Sequence, residues 1–233
     1  MEKQHIEGRT TKMKRIIIVC EGLTEQEFCQ TVISPYFNKK NVFVQAPTIK
    51  HSCGGIVAWG TLKKQLVHHL NETDVIVTML IDFYRIKDSF FFPGWMESKL
   101  IGPPQAKMNF LFEQMKLNIQ ENLRNRFVPY IQLHEFEGLL FSDISAFKNN
   151  FRKGECDFQA IETAIKEFAT PEEINNGPNT APSIRLKDAI KGYNKDVYGS
   201  ILADDIGLTT IRKKCPLFNQ WINRLEAALF RSE

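Results

Sequence analysis

The run Ile16-Ile17-Ile18-Val19-Cys20, which ends on Glu21, decides the fold of this 233-residue chain. Short, β-branched and unbroken apolar runs are typical of strands that are buried on both faces of a parallel sheet. Such a sheet is covered by helices, so the pattern predicts an α/β fold. Two more apolar runs end before acidic residues in the same way, residues 75–81 before Asp82 and residues 127–133 before Glu135 and Glu137.

The segments between these runs carry helical periodicity. A predicted helix capped by Thr24, with Glu27 in a capping box, follows the first strand. Another strand starts at Val42, and further helices cover 55–70 and 105–123. This alternation predicts a mainly parallel sheet flanked by helices. We expect three regions: a flexible tail over 1–13, an α/β domain over 14–169 and a mostly helical C-terminal extension over 170–233 packed on it.

Composition excludes several classes of protein. A 43% hydrophobic and 24% charged chain is ordinary for a globular protein, and no apolar run approaches the ~20 residues that span a bilayer. The five cysteines are scattered and form no C-x-x-C pair, which argues against a zinc site or disulfide framework and predicts a reducing, cytoplasmic location without a membrane partner. The net charge of +3 is too small to identify a nucleic-acid-binding protein by itself.

The acidic residues after the three strands predict a metal site. The carboxyl ends of parallel strands meet at one edge of a sheet, where ligands bind. Carboxylates gathered there without fixed cationic partners repel one another unless a hard divalent cation is bound. We therefore predict that Mg²⁺ or Mn²⁺ is held by Glu21, Asp82, Glu135 and Glu137. Glu21, Asp82 and Glu135 are the predicted catalytic residues.

Two of these assignments have alternatives. Glu21 could instead be a favourable charge near a helix N-terminus. Glu135 and Glu137 share a face on a strand and diverge on a helix, so it stays open which of them is the ligand. We favour Glu135.

Two further features suggest phosphate contacts. Gly54 and Gly55 precede a predicted helix, where backbone N–H groups bind phosphate, although a plain glycine turn capped by Ser52 explains them equally well. In the tail, four basic residues recur near helical spacing and would form one positive face for a nucleic-acid backbone, the alternative being solvated surface. These are Arg185, Lys187, Lys191 and Lys195.

The aromatic stretch over residues 90–95 is unusual for a loop. Its side chains could pack over the edge of the sheet, form a dimer contact or stack on unpaired bases. We favour packing and rank base stacking third.

An ordered set of short motifs resembles the Toprim fold, which primases, topoisomerases and OLD-family nucleases share. Within that fold, the chain is most similar to a bacterial family of small stand-alone Toprim-like proteins. The motifs are Glu21-Gly22-Leu23-Thr24-Glu25, Asp82-Phe83-Tyr84, His134-Glu135-Phe136-Glu137-Gly138, Ala181-Pro182-Ser183-Ile184-Arg185, Tyr193-Asn194-Lys195 and Cys215-Pro216-Leu217-Phe218.

The resemblance implies a Mg²⁺-dependent nuclease that cleaves phosphodiester bonds in DNA or RNA. It also implies a role in bacterial antiviral defence, with an ATPase partner or self-association. One position departs from the pattern: Tyr84 stands where Toprim enzymes usually carry a second aspartate. Either a later glutamate replaces that ligand, or metal binding is weakened, or catalysis is lost. The alternatives are therefore a non-catalytic module that binds nucleic acid or a partner protein, and a small-molecule phosphohydrolase.

Overall fold

The computed structural model describes residues 14–50, 52, 55–175, 177 and 179–230. Four strands form one sheet: β1 (Lys14–Cys20), β2 (Val42–Gln45), β3 (Val75–Leu80) and β4 (Phe127–Val128). The helices are α1 (Leu23–Phe28), α2 (Ser34–Asn38), α3 (Trp59–Leu70), α4 (Trp95–Ser98), α5 (Pro104–Leu117), α6 (Ile144–Asn150), α7 (Phe158–Glu167), α8 (Pro182–Ala189), α9 (Lys195–Lys214) and α10 (Pro216–Leu229).

The sheet is parallel throughout, with the strand order β2-β1-β3-β4. In the centre, Ile17 of β1 lies opposite Val77 of β3. Every residue of β3 is buried, because helices cover both faces of the sheet, as an unbroken apolar strand requires. The predicted α/β class, with a parallel sheet and a helical C-terminal region, is confirmed.

Several predicted boundaries were wrong. The predicted strand 127–133 pairs with β3 only at Phe127–Val128, since Pro129 has no N–H to donate to the ladder. Pairing resumes further on, where the N–H of Gln132 donates to the carbonyl of Ile81 at 2.8 Å. The helix predicted over 105–123 ends at Leu117, and the one predicted from residue 55 begins at Trp59.

The start of α1 also differs from the predicted capping box. The N-cap residue is Gly22, and its N–H donates to Oε2 of Glu25 at 2.9 Å, so Glu25 takes the position predicted for Glu27. The hydroxyl of Thr24 donates instead to Oδ1 of Asp196 at 2.8 Å. This bond fastens α1 to the first turn of α9.

The C-terminal helices pack directly on the sheet region. In α10, the indole N–H of Trp221 donates to the hydroxyl of Thr78 in β3 at 2.8 Å, and the indole stacks on Tyr130 with ring centroids 4.4 Å apart. The two backbone N–H groups of Leu217 and Phe218 donate to the carboxylate of Glu172. Within the described residues, no helix combines the length and apolar character that crossing a membrane requires.

The basic residues of the tail that were predicted to share one helical face do not lie on a single helix. Helix α8 ends at Ala189, the chain turns through Gly192 with φ of 69°, and α9 begins at Lys195. The predicted positive face is therefore wrong, because the turn separates Lys195 from Arg185 and Lys187.

Candidate active site at the carboxyl edge of the sheet

Five buried carboxylates lie at the carboxyl edge of the sheet. Glu21 follows β1, Asp82 follows β3, and the glutamates at 135 and 137 follow the segment that runs beside β3. A fifth, Glu25, lies in the first turn of α1. We call this group the acidic cluster: Glu21, Glu25, Asp82, Glu135 and Glu137.

A backbone N–H group holds one oxygen of most members of the acidic cluster. Oε2 of Glu21 accepts from the N–H of Asp82 at 3.0 Å, which links the ends of β1 and β3. Oδ1 of Asp82 accepts from Phe136 at 2.8 Å, and Oε2 of Glu135 accepts from Ser183 at 3.0 Å. A hydrogen bond to one oxygen thus fixes the orientation of each of these three carboxylates.

The other oxygens of three carboxylates converge on Lys195. Its ammonium lies 3.0 Å from Oε1 of Glu25, 3.3 Å from Oε2 of Glu137 and 3.9 Å from Oδ2 of Asp82. The expectation that the carboxylates lack a fixed cationic partner is therefore wrong. Lys195, predicted to hold a substrate backbone from the tail, lies inside the acidic cluster and is only 26% exposed.

The electrostatics of the cluster are those of excess negative charge in a buried place. Burial raises the pKa of Glu21, Asp82 and Glu137, and neighbouring carboxylates raise it further. Burial alone would lower the pKa of Lys195, but the carboxylates of Asp82, Glu137 and Glu25 outweigh burial and raise it. Lys195 therefore stays positively charged.

An open cleft borders the cluster. A cavity of about 230 Å³ is lined by Glu21, Glu25 and Lys195, with Arg85 and Gly55 at its side. Arg85 is half exposed, and its Nε lies 3.7 Å from Oε1 of Glu21. Gly55 lines this cleft, and its phosphate contact stays a prediction, whereas Gly54 lies outside the described residues.

The two remaining predicted phosphate contacts lie elsewhere. The guanidinium of Arg185 lies 3.2 Å from a carboxylate oxygen of Glu167 and 5.3 Å from the ring centroid of Phe168, and its Nε donates to the carbonyl of Thr180. Lys187 is exposed on α8. Arg185 is therefore engaged in a local contact on the tail, away from Lys195 at the start of α9.

Three residues of the site were not among the predicted site residues: Glu25, Arg85 and Tyr193. Glu25 closes the motif that begins with Glu21, so its signal was present although no role was assigned to it. Arg85 carries no pattern of its own. The hydroxyl of Tyr193 is buried without a hydrogen-bond partner among the described residues, and burial and the nearby Glu137 raise its pKa.

The donor chemistry fits a hard divalent cation, but no set of ligands is preassembled. Among the described residues, no three His, Cys, Asp or Glu side chains are placed to hold a metal ion together. The cluster nevertheless supplies only oxygen donors, and its five carboxylates outnumber Lys195 and Arg85. Oxygen donors with surplus negative charge are what Mg²⁺ requires.

Comparison with known proteins gives a family. The family model described as "Domain of unknown function (DUF4276)" matches residues 20–226, and the chain belongs to this family. No curated protein and no solved structure matches the chain significantly. The matched region contains the whole acidic cluster and Lys195.

Proposed function

We propose that this member of the DUF4276 family is a Mg²⁺-dependent nuclease that cleaves phosphodiester bonds in DNA or RNA. The observation that carries the proposal is the gathering of five buried carboxylates, which outnumber the nearby cations, at the carboxyl edge of the sheet. Backbone N–H groups hold Oε2 of Glu21 and Oδ1 of Asp82, and the second oxygen of each lies near a protein cation, Arg85 or Lys195, whose place a metal ion would take. Such outer-shell hydrogen bonds are what orients metal-ligating carboxylates.

The residues that would hold the cation are Glu21, Asp82 and Glu137, with Glu135 beside them. When bound, Mg²⁺ neutralises charge on the scissile phosphate and lowers the pKa of a bound water. The protein supplies the rest of the site. The Asp82 and Phe136 amides keep two carboxylates in place, and Arg85 offers a guanidinium to a phosphate at the open side of the cleft.

A second candidate function is favoured by one observation. The ammonium of Lys195 already compensates Glu25, Asp82 and Glu137, so the cluster has a charge partner without any metal. This arrangement supports a non-catalytic module that binds nucleic acid through its cleft. Tyr84, in place of a second aspartate, supports the same alternative.

A cleavage assay separates these functions. Purified protein is incubated with single- and double-stranded DNA and RNA oligonucleotides, and with a chromogenic phosphate monoester, in Mg²⁺, Mn²⁺ or EDTA. The proposal expects metal-dependent cleavage of an oligonucleotide that Glu21→Gln abolishes. The matched control is Glu162→Gln, which removes a surface carboxylate paired with Lys148 and should cleave normally.

The other outcomes contradict the proposal. Oligonucleotide binding without cleavage in either metal identifies a binding module. Hydrolysis of the monoester alone identifies a small-molecule phosphohydrolase.

A further inference from the structure

A second cavity adjoins the acidic cluster and has a different lining. Its volume is about 400 Å³, within the range of small-ligand sites. Aromatic and basic side chains from one short segment form most of its wall, and an acidic side chain completes it. We call it the Tyr84 cavity; it is lined by Tyr84, Arg85, Lys87, Phe90 and Glu135, together with Gly55 and Ile56.

The backbone holds these side chains at the cavity. The N–H of Tyr84, in the 3₁₀ turn Phe83–Arg85, donates to the carbonyl of His134 at 3.0 Å, which holds this turn against the segment that follows β4. Ile86 is buried in the core, which leaves Arg85 and Lys87 on the outer side. Tyr84 is 50% exposed, and the ammonium of Lys87 lies 5.8 Å from the ring centroid of Phe90.

The Tyr84 cavity and the cleft of the acidic cluster are neighbours. Arg85 and Gly55 line both, and the guanidinium of Arg85 also lies against Glu21. A ligand in the Tyr84 cavity would therefore lie beside the same guanidinium that borders Glu21.

We propose that the Tyr84 cavity binds one unpaired base of a single-stranded nucleic acid, adjacent to the phosphate that reaches Arg85. An aromatic face beside basic side chains is the combination that binds single strands, because every base has a face that stacks. The carboxylate of Glu135 disfavours a phosphate inside the cavity and accepts hydrogen bonds from N–H groups of a base. The substrate of the proposed nuclease is then single-stranded, since a paired base must first leave its stack to enter a cavity.

This inference rests on the proposed function for the cleavage of the phosphodiester bond, but its test measures binding and does not require cleavage. Fluorescence anisotropy in EDTA measures the affinity of full-length protein for labelled single-stranded DNA and RNA oligonucleotides and for the matching duplexes. We expect the single strand to bind more tightly than the duplex. Tyr84→Ala should weaken single-strand binding by about tenfold or more, whereas Tyr84→Phe, which keeps the ring, should stay within about twofold of wild type.

The matched control is Phe91→Ala. Phe91 is 79% exposed on the same segment but is not part of the cavity lining, so its loss should leave binding unchanged. Thermal melting of each variant confirms that the fold is retained.

The outcomes separate this inference from the nuclease proposal. Tyr84-dependent binding without cleavage in Mg²⁺ supports the cavity assignment and overturns the nuclease. The opposite result is metal-dependent cleavage with binding that does not depend on Tyr84, or with equal binding of single strand and duplex. That result overturns the cavity assignment and supports the nuclease. Absence of oligonucleotide binding overturns the cavity assignment as well, and a peptide ligand then becomes the better explanation of an aromatic and basic cavity.

Discussion

The backbone N–H of Asp82 donates a hydrogen bond of 3.0 Å to Oε2 of Glu21. This bond joins the residue after β3 to the residue after β1, and both side chains are buried. The two carboxylates therefore cannot separate without leaving a buried N–H unsatisfied. The charge of Glu21 is therefore held close to that of Asp82.

The two substitutions of Asp82 should differ in stability. Asp82→Asn keeps an oxygen that accepts from the N–H of Phe136, while Asp82→Ala leaves that buried N–H without a partner. We expect Asp82→Ala to have a free energy of unfolding about 1–3 kcal/mol lower than Asp82→Asn. Urea unfolding in EDTA measures this difference, and equal stability of the two variants would show that the bond to Phe136 contributes nothing.

Removal of Lys195 should make the protein depend on divalent cations. Lys195→Met leaves the charges of Glu25, Asp82 and Glu137 uncompensated. Removing one partner of a buried ion pair lowers the free energy of unfolding by about 3 kcal/mol or more. The melting temperature in EDTA should fall, and Mg²⁺ or Mn²⁺ should restore it more than it raises that of wild type. Lys191→Met, which removes an exposed lysine, is the control. A variant as stable as wild type in EDTA would argue against Lys195 as the charge partner.

Glu172 should make stability depend on pH. Burial raises the pKa of Glu172 to about 7, although two backbone N–H groups partly oppose the rise. Because the pKa is higher in the folded state, the folded protein binds this proton more tightly. The contribution of Glu172 is therefore present at low pH and is lost as the pH rises from about 4.5 to about 7.

Urea unfolding at a series of pH values tests this sign. Wild type should lose stability between pH about 4.5 and about 7, and Glu172→Gln should lose less over the same range. Glu121→Gln, at an exposed position on another segment, should retain the wild-type slope. If wild type instead gained stability over this range and Glu172→Gln removed the gain, the pKa of Glu172 would be lowered in the folded state and not raised.

Two glycine substitutions should have opposite effects. A Cβ added at Gly199 of α9 would lie 2.9 Å from Cγ2 of Thr24 in α1, so Gly199→Ala should lower the free energy of unfolding by about 1–3 kcal/mol. At Gly60 of α3, no atom of the described residues outside the helix's own local backbone lies within 4 Å of the added Cβ, so Gly60→Ala should raise the free energy of unfolding by up to about 1 kcal/mol. Thermal unfolding of both variants measures the contrast, and a neutral Gly199→Ala would mean that α9 tolerates a wider spacing from α1.

The sequence by itself determined the class of fold and half of the site. The strands β1 and β3 are buried on both faces over residues 16–20 and 75–80, so these stretches are almost entirely apolar and visible as two runs. Since both strands are parallel, the residues that follow them lie at the same edge. This local pattern was enough to place Glu21 beside Asp82.

Local pattern was insufficient where the structure depends on contacts between distant segments. The strand after Phe127 looked continuous by apolarity, but Pro129 interrupts the ladder. The three aromatics at 90–92 looked alike, yet Phe92 is buried against Trp59 while Phe91 is exposed. Apolarity does not report which side of a loop faces the core.

Only the tertiary structure decided that Lys195 is the charge partner of the acidic cluster. The hydrogen bond between Thr24 and Asp196 joins residues 172 positions apart in the sequence. Because Gly199 has no side chain, α9 approaches α1 closely enough for this bond to form. The ammonium of Lys195 reaches Glu25, Asp82 and Glu137 because of that packing. A residue type and its spacing reveal what charge a chain carries, but the distance between charges, which sets their interaction energy, exists only in the folded molecule.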